Sequence, residues 1–285
     1  MMDRIAIVEG VRTPFVKSWT HFEDLPAQRL GALSARELLE RTGLDPKLVD
    51  EVIFGSVAQS PEAANIARVI SLYAGIPEEK RAYTVCRNCA SGFEAATSAY
   101  EKIALGLDEI VIAGGAESMS NIPLLFGKDI TRILTRLNKA KTIAEKIKLI
   151  LKIRLKHFKP VPGLLLGLSD PVCGLNMGQT AEILAKEFAI PRKEQDEFAL
   201  MSHKRAIEGR AKLAEEISPA IPGPKFKHAI EHDTGPREKQ SMEQLGRLKP
   251  YFDRHTGTVT AGNSSQITDG ACALLMMKEE KAKEM

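Results

Sequence analysis

The sequence predicts an α/β protein, a mixed but mostly parallel sheet covered by helices on both faces, with a mainly helical insertion. Three observations carry that reading. Short β-rich runs alternate with helical patterns up to about residue 120, the pattern changes after Asn121, and sheet character returns only near the end. Strict alternation of strands and helices implies βαβ units and a largely parallel sheet.

The elements follow in order. Ile5-Ala6-Ile7-Val8 reads as a buried strand. A helix is expected over about 26–41, with Pro26 in its first turn, Leu at 30, 33, 38 and 39, and Gly43 after its end. Val52-Ile53-Phe54 is a second strand stopped by Gly55, and 62–73 a second helix closed by Gly75 and Pro77. Tyr83-Thr84-Val85-Cys86 is a third strand. A third helix, about 91–105, ends at Gly106 and leads into the strand Ile110-Val111-Ile112-Ala113. This helix is rich in Ala, Ser and Thr, small side chains that let another backbone come close, so it is expected to be buried.

Beyond Asn121 come a basic stretch (128–159), a Pro/Gly/Leu-rich link (160–167), and helical segments around 177–188 and 193–208. A polar, proline-punctuated stretch covers 219–250. Sheet character resumes at Thr258-Val259-Thr260 and at Ala271-Cys272-Ala273-Leu274-Leu275-Met276. The economical division is an α/β domain over 1–121, an inserted domain over 122–248, and a return to the α/β domain over 249–285. There is no internal repeat.

Composition narrows the function classes. A hydrophobic fraction of 44% and a charged fraction of 27% belong to a globular chain. With one Trp and four Tyr, stacking on nucleic-acid bases is a poor expectation. Four cysteines in 285 residues do not make a disulfide scaffold. The opening residues Met1-Met2-Asp3-Arg4-Ile5 have no signal-peptide pattern, and no uncharged run approaches the roughly 18 residues of a membrane span. A cytoplasmic, reducing location is the expectation.

The chemistry concentrates in Thr84-Val85-Cys86-Arg87-Asn88-Cys89-Ala90-Ser91-Gly92. A strand ends, Cys89 sits at the turn, and a helix starts at once. The unpaired N–H groups and positive dipole end of a helix amino terminus favour a thiolate, and Gly92 allows close approach of a ligand or a second backbone. Cys86-x-x-Cys89 also has the spacing of a redox pair or half a zinc site, and two buried apolar cysteines are commoner than either. Spacing alone leaves these alternatives open. Cys173 and Cys272 are isolated, and no metal site is expected.

In sequence order, Cys89-Ala90-Ser91-Gly92 resembles the nucleophile motif of the thiolase family. Other segments resemble it too: Arg12-Thr13-Pro14-Phe15, Gly55-Ser56-Val57-Ala58-Gln59 with Asn65-Ile66-Ala67-Arg68, and Ala113-Gly114-Gly115-Ala116-Glu117-Ser118-Met119-Ser120. Asn176-Met177-Gly178-Gln179-Thr180-Ala181-Glu182 is similar to the family's loop-domain motif, and Gly257-Thr258-Val259-Thr260-Ala261-Gly262-Asn263-Ser264-Ser265 to its closing motif. The resemblance implies that Cys89 takes the acyl group as a thioester and that its N–H helps form an oxyanion hole. It further implies that Met177 lines a pantetheine channel, that Ser265 hydrogen-bonds the pantetheine amide, and that 122–248 is the loop domain covering CoA. CoA would be a substrate, with no tightly bound cofactor, and the assembly a homodimer or dimer of dimers. The implied activity is thiolytic cleavage of 3-ketoacyl-CoA in fatty-acid β-oxidation. The rivals are a biosynthetic acetoacetyl-CoA thiolase running a Claisen condensation and a non-catalytic CoA- or lipid-binding homologue.

Two positions depart from the family pattern: Asn176 stands where many thiolases have His, and Gln266 where they have Gly. The resemblance also implies a second, similar domain supplying an Asn, a catalytic His and a second Cys. None of the six histidines here has the Gly-His-Pro setting of that base, and a chain without them is expected to lack turnover.

The net charge of +3 hides one basic segment. Lys128 to Lys159 holds eleven Lys and Arg against Asp129 and Glu145, a net of +9, which leaves −6 for the rest. Its apolar residues, Ile130, Ile133, Leu134, Leu137, Ala140, Ile143, Ala144, Ile147, Ile150 and Leu151, follow steps of three and four, as in one amphipathic helix or two. Residues 130–156 suit an anionic membrane surface or a β-oxidation partner subunit. The bland alternative is a solvated charged face packed on its own domain. Thiolase subunits of membrane-associated oxidation complexes look similar in having an insertion here, which favours the degradative branch.

Overall fold

The computed structural model describes residues 4–223 and 228–285. Residues 1–3 and 224–227, the latter within the proline-punctuated stretch, lie outside the described residues. The chain forms two compact units, 1–121 with 178–285, and 122–177.

The larger unit opens with β1 (Ile5–Arg12), β2 (Val16–Lys17), α1 (Ala27–Thr42), β3 (Glu51–Gly55), α2 (Ile66–Tyr73), β4 (Arg81–Val85), α3 (Ser91–Ala104) and β5 (Ile110–Ser118). Helix α1 starts after Pro26 and ends at Gly43, whose φ of +65° is a left-handed stop that glycine takes without a Cβ clash. The Asn65 side chain caps α2 by accepting from the Arg68 N–H.

The smaller unit contains β6 (Leu124–Leu125), α4 (Lys128–Lys139), α5 (Ile143–Ile150), β7 (Val161–Pro162) and α6 (Gly163–Gly167). Strands β6 and β7 pair antiparallel. The basic segment is two helices because Thr142 and Glu145 form a capping box that starts α5 afresh.

The chain returns to the larger unit through α7 (Met177–Glu187), α8 (Arg192–Glu208), α9 (Arg210–Glu216), α10 (Met242–Gly246), β8 (Thr268–Lys278) and α11 (Glu279–Glu284). The insertion expected over 122–248 is therefore compact only to residue 177, and 178–248 belongs with the larger unit. Arg12 holds much of that segment, pairing with Glu216 at 2.6 Å and Asp233 at 2.7 Å. The Ser218 N–H donates to the Arg12 carbonyl.

The main sheet has the order β1-β8-β5-β3-β4, with β2 also on β8. The β3–β4 and β3–β5 pairs are parallel, and β8 is antiparallel to β1, β2 and β5. All the other strands thus run one way and β8 alone runs against them. Alternation sorts the core onto two faces. Val52, Phe54, Ile110, Ile112 and Leu275 join Leu30, Leu38, Ile66 and Ile70 of α1 and α2. Ile53, Val111, Ala113 and Met276 join Ala95, Ala99 and Ile103 of α3.

Thr258-Val259-Thr260 is not a strand. Side chains take the N–H groups a ladder would need. The Glu182 carboxylate accepts from Thr258 at 2.8 Å and Val259 at 2.9 Å, and Asn263 Oδ1 accepts from Thr260 at 2.7 Å. The β-branched run satisfied the sequence pattern, but a buried carboxylate outcompetes a partner strand for these donors.

Candidate active site

Cys89 lies four residues past the end of β4 and two before the start of α3, exposed to solvent, as is Cys86. Asn88, just before it, has a φ of +47°, the left-handed region that Asn tolerates better than most residues. The Ser91 hydroxyl accepts from the Arg87 N–H at 2.8 Å and donates to the Asn88 carbonyl at 2.6 Å. The Ala90 N–H donates to the Arg87 carbonyl at 3.1 Å, and the Ser91 N–H to that of Asn88 at 3.0 Å. Arg87 also pairs with Glu94 at 2.7 Å, in an exposed setting where such a pair contributes little.

Beneath the turn the sheet offers bare backbone. Gly55 of β3 and Gly115 of β5 are register partners. A Cβ on Gly55 would land on the Ser91 carbonyl, and one on Gly115 would come within 3.2 Å of the Gly92 Cα. The amino terminus of α3 therefore sits directly on two strand backbones, as its small-residue composition suggested.

Two of the motif segments meet beside this seat. The half-buried Glu117 carboxylate accepts from the Val57 N–H at 2.8 Å and the Ala58 N–H at 3.2 Å, holding the loop after β3 against β5. Burial pushes Glu117 above the usual carboxylate range, and those backbone hydrogen bonds oppose the shift. The other motifs have structural work. Asn65 and Arg68 tie α2 to backbone carbonyls of Ala82, Lys80 and Glu78. The Thr13 hydroxyl accepts from the Ala271 N–H.

Ser265 is exposed, and its hydroxyl donates to the Gln266 carbonyl at 3.2 Å. Gln266 in turn donates to the Gly235 carbonyl at 3.1 Å, a tether that a glycine there could not make. Ser265 precedes β8, whose Asp269 pairs with Ser118 at the carboxyl end of β5. Cys89 follows the carboxyl end of β4, so both leave the same edge of the sheet, the edge where open α/β sheets bind ligands. Met177, 53% exposed, closes the smaller unit. Arg237, Lys239, Gln240, Gln244 and Leu248 line a shallow pocket of about 330 Å³ in the larger unit.

Sequence reasoning placed Asn88 and Ser91 in the turn segment without giving them a role in it, and missed Glu117 and Glu182 as carboxylates that organise backbone. Asn at a sharp strand-to-helix turn was the available signal for the first. Nothing local marks the other two. Among the described residues, no group of three or more His, Cys, Asp or Glu could hold a metal ion, and no helix is long and apolar enough to cross a membrane.

A family model described as the thiolase N-terminal domain matches residues 5–280. The 3-ketoacyl-CoA thiolase of Vibrio cholerae serotype O1 is 44% identical over 285 residues, covering 99% of this chain and 65% of its own length. That of Pectobacterium carotovorum is 45% identical, with 99% and 64% covered. This chain therefore spans about two thirds of the length of these curated relatives. Among solved structures, the Bacillus anthracis acetyl-CoA acetyltransferase superposes with a TM-score of 0.86 at 34% identity, covering 99% of this chain and 67% of that one. Human mitochondrial 3-ketoacyl-CoA thiolase in complex with CoA superposes with a TM-score of 0.83 at 30% identity, covering 99% and 66%. Fold, motif order and likeness over nearly the whole chain agree: the chain belongs to the thiolase family and has the fold of its N-terminal domain.

Proposed function

We propose that the protein carrying this chain is a degradative 3-ketoacyl-CoA thiolase. Cys89 attacks the 3-keto carbon of the substrate, the C2–C3 bond breaks, and acetyl-CoA leaves. The shortened acyl group stays on Sγ as a thioester until the thiol of a second CoA takes it up. This divides one difficult exchange into two easier steps. The observation that carries the reading is an exposed Cys89 on a strained turn at the start of a seated helix. In the same reading the Cys89 N–H is an oxyanion donor, Met177 lines the pantetheine channel and Ser265 binds the pantetheine amide. The Arg237–Lys239 pocket suits the phosphates of CoA. CoA is a substrate, and no tightly bound cofactor is required.

In the full-length protein, iodoacetamide is expected to label Cys89 before Cys86, Cys173 or Cys272, with CoA ester protecting it. Cys89→Ala is expected to abolish thiolysis. Preferential labelling of Cys86, or preserved thiolysis in Cys89→Ala, would overturn the assignment. The likeness to an acetyl-CoA acetyltransferase favours a second reading, condensation of two acetyl units. Turnover confined to acetoacetyl-CoA would select it, and turnover of longer 3-ketoacyl-CoA esters the first. An exposed Cys89 in the family motif speaks against a non-catalytic homologue.

The same proposal places the protein in the cytoplasm, as a homodimer or dimer of dimers, at the periphery of an anionic membrane through 130–156. The support is the exposed apolar side chains among basic ones. Leu155 is 91% and Leu151 79% exposed, whereas Ile130 is 2% exposed. Each basic residue near an anionic bilayer contributes about 1 kcal/mol. The intact protein is expected to sediment with anionic vesicles, less so as salt rises, and Lys146→Glu with Lys148→Glu and Lys152→Glu to stay in solution. A variant that instead loses a co-purifying protein, with no lipid dependence, points to a partner subunit.

A further inference from the structure

We infer that Ser91, with the left-handed Asn88, is a positioning residue that sets the geometry of the Cys89 turn. The inference rests on the reading of Cys89 as the nucleophile and names what holds it in place.

The observations come from both sides of the turn. One buried hydroxyl, in a residue 4% exposed, accepts from the N–H of Arg87 and donates to the carbonyl of Asn88. It thus grips the chain at the two residues before the cysteine. Asn88 holds a φ of +47°, a left-handed conformation that costs most residues with a Cβ and that Asn takes more readily than the others. The backbone bonds from Ala90 and Ser91 return to the carbonyls of the same two residues, Arg87 and Asn88.

The far end of the grip does not move. Ser91 and Gly92 lie on Gly55 and Gly115: a Cβ on Gly55 would overlap the Ser91 carbonyl, and one on Gly115 would meet the Gly92 Cα at 3.2 Å. The position of the Ser91 hydroxyl is therefore set by β3 and β5, and it carries that position to Arg87 and Asn88. Cys89 lies between a strained residue and a seated helix start, and the turn can relax only if the Ser91 bonds are lost. A capping serine would stabilise the helix wherever it stood. Here its two partners flank the backbone that aims the nucleophile, so losing it should be felt in reactivity before stability.

The test uses the full-length enzyme with acetoacetyl-CoA and iodoacetamide as probes. Ser91→Ala is expected to slow acyl-enzyme formation, read from the single-turnover burst, by about tenfold or more, because misplacement by a fraction of an ångström already costs rate. Alkylation of Cys89 at fixed pH should slow in parallel, while KM stays within about twofold, since uniform substrate binding is untouched. Asn88 is exposed, so its variants fold even where Ser91→Ala does not. Asn88→Gly, which adopts the left-handed region freely, should keep the wild-type acylation rate, and Asn88→Ala should lose it. Wild-type acylation in Ser91→Ala, or equal rates in Asn88→Ala and Asn88→Gly, would overturn the inference. A Cys89→Ala protein that still cleaves substrate overturns the nucleophile reading instead. Cys89→Ala inactive beside fully active Ser91→Ala and Asn88→Ala overturns only the role of the turn.

Discussion

Helix α3 buries Ala95, Ala99 and Ile103 against β3, β5 and β8, whereas α4 and α5 leave Leu134, Ile143, Ile147 and Ile150 in solvent. Both regions carry apolar residues at three- and four-residue steps. The stripe says which face of a helix would be buried, and a complementary surface decides whether it is. For α3 that surface is the sheet, flattened at Gly55 and Gly115 so that helix and strands touch backbone to backbone. For α4, Ile130 is the one buried residue, and α5 has none. A helix held by such close packing can fix a reactive turn. A helix pair with an uncovered apolar face is available for a surface to be met later, as the membrane reading requires.

The largest effect expected from this contrast is at Ile103, fully buried under the sheet. Ile103→Ala should destabilise the protein by about 2–5 kcal/mol in urea unfolding, through lost burial and the cavity left behind. A loss under about 1 kcal/mol would mean that the α3 face is loosely packed.

Gly115→Ala comes next. Its Cβ would stand 3.2 Å from the Gly92 Cα, so helix or strand must shift. The expected cost is about 1–3 kcal/mol, accompanied by slower alkylation of Cys89. Unchanged stability and alkylation would show that the seat is less tight than the backbone contact implies.

A smaller effect is expected in the pH dependence at Glu117. Its folded pKa is raised above the ordinary 4.5 because burial disfavours the charged form. Its stabilising contribution is therefore greatest below 4.5 and is lost as pH rises through the higher folded value. Relative to Glu117→Gln, whose amide oxygen can still accept from the 57–58 loop, wild type should lose ground as pH rises across that window. Thermal melts of the two proteins at a series of pH values check this, and a gap that widens in wild type's favour contradicts the sign.

The smallest effect belongs to the exposed pair. Ile143→Ala and Ile147→Ala should each change stability by no more than about 0.5 kcal/mol, as substitutions at unpacked surface positions do. A cost like that of Ile103 would show that α5 is covered in solution by something that removes these side chains from water.

The sheet and its helices were legible because their signals are local. Gly43 and Gly55 mark the ends of α1 and β3, and the expected strand at 110–113 is the start of β5. The closing strand was legible as a strand at 271–276 but not in its place between β1 and β5. Thr258-Val259-Thr260 misled because β-branching reports a preference for extended backbone and not who accepts the hydrogen bonds. Glu182, 76 residues from Thr258 in sequence, accepts two of them and Asn263 the third. That the smaller compact unit ends at residue 177 was not legible for a related reason. The polar sequence there has no periodic apolar face, and Arg12 pairs with the carboxylates of Glu216 and Asp233, as much as 221 residues distant.

In the candidate site, the place of Cys89 between a strand and a helix was legible, while its proposed role and those of Met177 and Ser265 came from the family resemblance and not from spacing. The geometry of the turn was not, because the left-handed Asn88 and the doubly bonded Ser91 hydroxyl depend on where the sheet places α3. By itself the sequence determined most of the helices and strands before residue 121, which faces are apolar, and which cysteine stands at a helix start. Each of these is a property of neighbours within a few residues. Only the tertiary structure decided that β8 runs against the other strands of the main sheet, that Gly55 and Gly115 lie side by side under Ser91, and that a carboxylate from a distant helix takes the place of a ladder partner. Those outcomes turn on which donor, acceptor or flat surface comes within reach once the chain has closed on itself, and local pattern does not encode that reach.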